Sequence, residues 1–491
     1  MRPPSMKRYS SAGAAESFRS AEEHLSYLKS QAALPKGFSV NSTSFRFHPA
    51  ELPSMDASMN LTLIQANKQA CQSWAAVFTK NAFPGAPVIL GREMLRSGKN
   101  LKGVVVNNKI SNVRPKGGGV KESREVSETC LKLLLAQAAE NNGSGDNAGN
   151  CCVLPSSTGV IGWGLPIRDM VDHLPQLCDP ESASDQSILH AAEAIMTTDL
   201  YPKVRSTTIS LGEQGSGSVV GIAKGAGMIE PNMATMLVYI LTDIPASKES
   251  LQAMLTRCVD RTFNCISVDS DQSTSDTVVA MSSGEVEISD GLKMKVEAQL
   301  EDALFDVCDA LCEDVVRNGE GVQHVMKVEV SGSPDFETAK GVGKAIVNSP
   351  LFKCAVWGND PNLGRMLSAI GDYIGTTVQD PTDATKLTKN LRISIGDAVV
   401  YENEEFCINE ENESYVQSCF ETATLYSSSP AIRETNDSGT PTLEFSIPVT
   451  YPPHQRCVNI YVDMGVGSGN AVVRGADLSY EYVKENGDYR S

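Results

Sequence analysis

The stretch Lys224-Gly225-Ala226-Gly227-Met228-Ile229-Glu230-Pro231-Asn232-Met233-Ala234-Thr235-Met236 sets a cation, a bendable glycine approach and a hydroxyl at the mouth of an apolar run. A threonine hydroxyl is a weak nucleophile and needs an adjacent base. If the peptide bond before Thr235 opens, the new α-amine lies within reach of its own Oγ. Its unperturbed pKa of about 7.7–8.0 is close to the working pH at which a general base is most efficient. The uncut chain lacks this base, because a peptide nitrogen is not basic. Cleavage between Ala234 and Thr235 would then be an activation step, in which Oγ attacks the preceding carbonyl, the chain becomes an ester, and water releases it.

Such a hydroxyl needs rigid backbone on one side and a yielding loop on the other. Met236-Leu237-Val238-Tyr239-Ile240-Leu241 has the composition of a strand buried on both faces, stopped by Thr242-Asp243. Gly225 and Gly227 permit positive φ ahead of it, and Pro231 biases Glu230 toward extended geometry. Gly217 to Ala223 reads as the strand that delivers Lys224, so a central strand starting at Thr235 is expected beside it. Further buried strands are predicted in Met59–Ile64, Gly103–Asn107, Cys152–Leu154 and Val325–Val330, and Ser73 to Val88 reads as strands divided by a Pro/Gly turn. Apolar periodicity predicts helices over 125–140, 184–196, 247–263, 300–315, 336–348 and 363–373. Residues 20–60 carry little periodicity, and after residue 390 short strands and polar loops are expected. Gly117, Gly118 and Gly119 with Lys121 lack the ending of a phosphate-binding loop.

At 491 residues the chain exceeds the usual size of one core, so two or three lobes are expected. Hydrophobic content of 41% and charged content of 21% are those of a globular protein, and no run approaches the roughly 18 apolar residues of a membrane span. A net charge of −18 without a basic stripe argues against nucleic-acid partners and leaves small charged substrates open. Thirteen cysteines, odd in number and without repeated spacing, read as free core thiols, and no histidine completes a zinc pattern beside Cys151-Cys152 or Cys308 and Cys312. No metal is expected. Arg2, Lys7 and Arg8 with Ser5, Ser10 and Ser11, and no acid before Glu16, give residues 1–20 the look of a weak transit segment, which would place the protein in the mitochondrial matrix; without it the cytoplasm is the alternative.

Lys-Gly-Ala-Gly-Met-Ile-x-Pro-Asn-Met-Ala-Thr-Met-Leu closely resembles the self-cleavage motif of the ornithine acetyltransferases (glutamate N-acetyltransferases) of arginine biosynthesis. Blocks at Pro155–Gly162, Asn264–Thr277 and Gly358–Arg365 are similar to other signatures of that family, and the likeness spans about residues 59–491. The resemblance implies an α/β (α+β) architecture in which sheets are sandwiched between helix layers, the amino-terminal-nucleophile-like (DmpA-like) fold. It implies an α-chain region 21–234 and a β-chain region 235–491, parted between Ala234 and Thr235 and assembled as a heterotetramer of two of each. It assigns Thr235 as nucleophile, Thr158 and Gly159 as oxyanion hole, and Thr197, Thr198, Lys224, Thr235, Glu320, Asn486 and Ser491 as substrate contacts. The chemistry fits N-acetylornithine and glutamate: Lys224 suits an α-carboxylate and Glu320 the side-chain ammonium of ornithine. No cofactor is implied, and some relatives use acetyl-CoA as a substrate.

The chain departs from the family pattern over Asn107–Val113, at Ser270, Gln272 and Ser275 where glycine, threonine and asparagine are usual, at Leu363 in place of tryptophan and at Ser491 in place of threonine. Two alternatives stay open. The same acyl-enzyme chemistry could serve an amidase or aminopeptidase, in which water intercepts the acyl group, or a divergent acyltransferase acting on another amine; or the chain could stay uncut as a binding or structural homologue.

Overall fold

The computed structural model describes residues 18–67, 69–142, 148–180, 187–230, 236–426, 451 and 453–488. The run Leu237-Val238-Tyr239-Ile240-Leu241-Thr242 forms strand β8, buried along its whole length. Alternate side chains point to opposite faces, so Val238 and Ile240 pack on helices Lys248–Arg261 and Lys293–Arg317, while Leu237, Tyr239 and Leu241 face another sheet. β8 lies at the centre of a five-stranded sheet in the order β3 (Ser73–Phe78), β10 (Thr277–Ser282), β8, β7 (Ser216–Lys224), β6 (Lys203–Ser210). The facing four-stranded sheet has the order β1 (Phe38–Phe47), β2 (Ala57–Ala66), β4 (Asn100–Asn107), β5 (Cys151–Ser157). Helices Val120–Asn142 and Ile167–Cys178 cover its outer side through Val105, Val126, Val153 and Leu174. The four layers run helix, sheet, sheet, helix, the expected sandwich.

A buried polar contact midway along β8 joins the two sheets: the Tyr239 hydroxyl donates to Ser156 Oγ at 2.7 Å, with both residues buried. Tyr239→Phe leaves the Ser156 hydroxyl without this donor and is expected to cost about 1–2 kcal/mol. A urea denaturation midpoint equal to that of the parent protein would show that the bond contributes nothing.

A third, seven-stranded sheet follows in the order β14 (Glu405–Phe406), β13 (Ala398–Glu402), β12 (Arg392–Ile395), β15 (Val458–Asp463), β11 (Val325–Ser333), β16 (Gly469–Ala476), β9 (Ile266–Ser267). Helices Phe336–Asn348, Pro350–Trp357 and Leu363–Thr377 share its core. Leu363, one of the departures from the family pattern, is buried there.

Three expectations need correction. The central strand begins at Leu237, two residues after Thr235. Only Ser73–Phe78 of the stretch to Val88 is strand, because Pro87 sits in the first turn of helix Ala86–Ser97, where its missing N–H is harmless, and Gly98 closes that helix at φ 73°. Beyond residue 390 the chain also forms helices Glu410–Ala423 and Tyr480–Asp488. The first is started by the Asn409 side chain, which accepts from the Asn412 N–H, and by Glu410, Glu411 and Glu413 in its first turn, yet it buries only Val416, Phe420 and Ala423. The weakly periodic amino-terminal region likewise holds helix Ala21–Gln31 and β1.

Candidate active site

The strand ends converge on one edge of the sandwich. β7 ends at Lys224 opposite Leu237, the first residue of β8, and Leu237 is in turn paired with Thr277, the first residue of β10. In the facing sheet, β4 and β5 end at the pair Asn107 and Ser157. Lys224 Nζ donates to Thr158 Oγ1 at 2.9 Å, so the ends of both sheets meet. Residues 231–235, with Ala234 and Thr235, lie outside the described residues, as do residues 1–17 of the expected transit segment and Ser491. The flanks of 231–235 are held: the Glu230 N–H donates to the Asp271 carbonyl and the Thr277 N–H to the Met236 carbonyl, each at 3.0 Å. Thr235 precedes Met236, so sequence continuity alone ties it to this edge.

Thr158 and Gly159 form a turn bedded on the divergent loop Asn107–Val113. The Thr158 N–H donates to the Asn107 carbonyl at 3.0 Å and the Val160 N–H to the Lys109 carbonyl at 2.8 Å. Ser157 Oγ donates to Asn107 Oδ1 at 2.6 Å, and Asn107 Nδ2 to the Ile110 carbonyl at 2.8 Å. Gly159 has φ 120°, and a methyl group there would overlap the Lys109 backbone. Asn112 Nδ2 reaches the Gly119 carbonyl at 3.1 Å and Ser123 Oγ at 2.7 Å, which makes the glycine run part of the same bed. The side-chain bonds of this bed come mainly from Asn107 and Asn112, where the chain keeps the family's residues; of the departing residues, Lys109 contributes its carbonyl and Ser111 its hydroxyl, which donates to the Gly159 carbonyl.

A second group surrounds Glu320. Thr198 Oγ1 donates to Glu320 Oε1 at 2.8 Å, Asn486 Nδ2 to Oε2 at 2.9 Å, and the Glu320 N–H to the Ala226 carbonyl at 3.0 Å. A side chain on Gly227 would push the Glu320 carboxylate out of this position, so the glycine permits the close approach. Thr197 enters the group through its backbone, its N–H donating to Asp199 Oδ2 at 3.0 Å. Lys224 is only 8% exposed, and burial pulls its ammonium below the usual lysine range, an effect opposed by Asp199, deepened by Lys203 and opposed again by Glu320 and Asp276. The structure thus brings together Thr158, Gly159, Lys224, Thr198, Glu320 and Asn486, residues scattered over more than 300 positions.

Asp269, within the signature block Asn264–Thr277, grips the approach to 231–235. Its Oδ2 accepts the Met228 N–H at 2.6 Å and its Oδ1 the Ile229 N–H at 2.7 Å, while the Val268 N–H donates to the Ile229 carbonyl at 2.7 Å. Met228 has φ 56°, and successive N–H groups at such a turn form a concavity that suits a carboxylate. Burial raises the Asp269 carboxyl, and these N–H groups oppose the rise. Ser270, where glycine is usual, also sits at positive φ (62°), a conformation that costs a side-chain-bearing residue about 1–2 kcal/mol. Gln272 is held by its carbonyl, which accepts from Asn81 Nδ2 at 2.9 Å, and the Ser275 N–H donates to Ser273 Oγ at 3.2 Å.

The pattern that defines the ArgJ family matches residues 50–491. The chain belongs to the ArgJ family. Two relatives bear this out over most of both chains. Arginine biosynthesis bifunctional protein ArgJ 2 of Clostridium acetobutylicum is 35% identical over 417 residues, covering 85% of this chain and 90% of its own. The mitochondrial arginine biosynthesis bifunctional protein ArgJ of Uncinocarpus reesii is 33% identical over 487 residues, covering 95% and 94%. Among solved structures, the arginine biosynthesis bifunctional protein of Bacillus halodurans is 29% identical, with a TM-score of 0.39 over 51% of this chain and 98% of that one. The ornithine acetyltransferase of Mycobacterium tuberculosis, solved with ornithine, is 25% identical, with a TM-score of 0.30 over 42% and 98%. Membership in the ArgJ family confirms the likeness carried by the Lys224–Leu237 motif, and makes this chain an acyltransferase of arginine biosynthesis. Other fungal relatives, from Talaromyces marneffei and Schizosaccharomyces japonicus, also carry the mitochondrial name.

The thirteen cysteines are free, and Cys151, Cys152, Cys308 and Cys312 are buried. Among the described residues no group of three or more His, Cys, Asp or Glu is placed to hold a metal ion, and no helix is long and apolar enough to cross a membrane.

Proposed function

We propose that this ArgJ-family chain cuts itself between Ala234 and Thr235 and then moves acetyl from N2-acetylornithine to glutamate through an ester on Thr235. In self-cleavage, Thr235 Oγ attacks the Ala234 carbonyl, the C–N bond breaks, and the hydroxyl proton passes to the leaving nitrogen. Water hydrolyses the resulting ester, which frees an Ala234 carboxylate and restores the hydroxyl beside a free α-amine. In turnover, that amine takes the Oγ proton as Oγ attacks the acetyl carbonyl, and returns it to the departing ornithine nitrogen. The α-amine of glutamate then attacks the acetyl ester, the bond from the acetyl carbon to Thr235 Oγ breaks, and the proton lost by the attacking nitrogen passes through the Thr235 amine to Oγ, which yields N-acetylglutamate and the free hydroxyl. Thr158 and the Gly159 N–H would stabilise the oxyanion in both acyl steps. The Thr158 hydroxyl already accepts a hydrogen bond from Lys224, so it is free to turn its own proton outward.

The observation that carries this reading is the meeting of Lys224, Thr158 and the Glu320 group at the edge where β8 begins. Lys224 would hold the substrate α-carboxylate, and Glu320, oriented by Thr198 and Asn486, the ornithine ammonium. The same ester could be loaded from acetyl-CoA as an alternative donor, with no resident cofactor. The cut halves would assemble as two α and two β chains, and the fungal relatives favour the mitochondrial matrix.

Incubating the purified protein with N-acetylornithine, with and without glutamate, tests the reaction. Acetylglutamate should form in step with released ornithine, and without glutamate the fragment beginning at Thr235 should carry one acetyl group. Equal ornithine release in both cases would mean that water is the acceptor and would overturn the transferase reading for this chain. Lys224→Ala should raise KM for N-acetylornithine by about 10–100-fold, the loss of one charge-assisted hydrogen bond. An unchanged KM would remove Lys224 from the binding site.

A further inference from the structure

We infer that the buried node formed by Asp199, Lys203 and Asn318 is the bracket that positions Thr198, Lys224 and Glu320 for substrate binding, an inference that rests on the reading of those three residues given above. Asp199 and Lys203 have no exposed side-chain surface, and Lys203 Nζ meets Asp199 Oδ1 at 2.5 Å. The same Oδ1 accepts the Gly225 N–H at 2.7 Å, next to Lys224, while Oδ2 accepts the Thr197 N–H at 3.0 Å, next to Thr198. Lys203 Nζ also donates to Asn318 Oδ1, which accepts the Leu200 N–H at 3.2 Å as well. Asn318 closes helix Lys293–Arg317 and stands two residues before Glu320. One carboxylate and one ammonium thus tie together the segment after helix Ile188–Ala194, the end of β7 and the end of helix Lys293–Arg317.

A buried ion pair is a poor device for stability alone, since well-packed apolar groups of similar volume often do as well. Its value here is directional: every polar atom of the Asp199 carboxylate points a site segment at a fixed angle. It also acts on the charge of Lys224. The groups that face the Lys224 ammonium are Asp199, Lys203, Glu320, Asp276 and the Thr158 hydroxyl; Asp199 raises its proton affinity by more than Lys203 lowers it. Burial would raise the Asp199 carboxyl, yet Lys203, Lys224 and the Gly225 N–H hold it well below the usual carboxylate range, so it stays charged. Asp199, Lys203 and Asn318 are positioning residues: they hold the backbone beside the residues that touch substrate.

The test is the double variant D199N/K203M, which removes both charges together and leaves no unpaired ion. In the folded, cleaved protein, KM for N-acetylornithine should rise about tenfold while kcat changes by less than about threefold. The alkaline limb of kcat/KM should also move to lower pH. The sign follows from Lys224: it binds a carboxylate only when protonated, binding is lost as pH rises through its pKa, and in the double variant the loss of Asp199, which raises that pKa, outweighs the simultaneous loss of Lys203, which lowers it. A role confined to stability would move the melting temperature and leave this limb in place. If the double variant does not fold, N318A removes one acceptor of Lys203 without stripping a charge, and should raise KM about threefold in the same direction. A folded double variant, or N318A in its place, with unchanged KM and an unchanged alkaline limb overturns the inference. Lys224→Ala separates it from the parent reading: if that variant loses binding and the node variants do not, only the bracket is wrong.

Discussion

Replacing Thr235 by alanine is expected to leave the chain in one piece and to reduce acetyl transfer by at least about 10⁴-fold, because the attacking hydroxyl and the amine that activates it vanish together. A denaturing gel and the mass of the second fragment read the first effect, and ornithine release reads the second. The parent protein should give fragments ending at Ala234 and beginning at Thr235. Thr235→Ser keeps the hydroxyl but loses the methyl that restricts χ1, and should retain a part of both activities. If Thr235→Ala is still cut, or the parent protein stays intact while fully active, the amino-terminal nucleophile is not the mechanism of this chain.

Gly159→Ala should be the next most damaging change. Its φ of 120° is foreign to residues with a side chain, and the added methyl would overlap the Lys109 backbone, which cannot swing away as a flexible side chain would. The turn must move, which displaces Thr158 and the Gly159 N–H from the oxyanion position. A loss of about 10²–10³ in kcat is expected, the usual effect of removing one such donor. A folded variant with normal kcat would show that this turn does not serve the reaction.

What the sequence disclosed follows from the range of the forces involved. The helix at Lys248–Arg261 and the helix at Phe336–Asn348 are legible because each carries a full apolar stripe and a side-chain cap, Ser247 and Asp335. The buried run of β8 is legible because both its faces are covered. Helix Glu410–Ala423 escaped notice because it offers the core three side chains among many acids, and β6, whose Thr207 and Thr208 lie between buried residues, showed no clean alternation. Of the site, the motif pointed to Thr235 and Lys224, and the family likeness to Thr158, Glu320 and Asn486. Their contacts could not be read from spacing: Lys224 meets Thr158 across 66 positions, and Asn486 meets Glu320 across 166. The clamps made by Asp269 and Lys203 have no signal in the sequence, since only a three-dimensional arrangement tells a buried clamp from a solvated face.

The order of strands in the five-stranded sheet bears on the life history of the molecule. β3, β7 and β6 come from the chain before residue 234, and β10 and β8 from the chain after it, so two strands of the second portion lie side by side between strands of the first in one hydrogen-bonded ladder. The four-stranded sheet lies wholly in the first portion and the seven-stranded sheet wholly in the second. Before the cut, closing this ladder is an event within one chain. After the proposed cut, two separate chains would have to find each other, and recovery from unfolding would become second order in protein concentration. Cleavage before Thr235 would thus act as a ratchet: the fold has to be complete before the bond opens, and a cut molecule that later loses its fold has no concentration-independent way back.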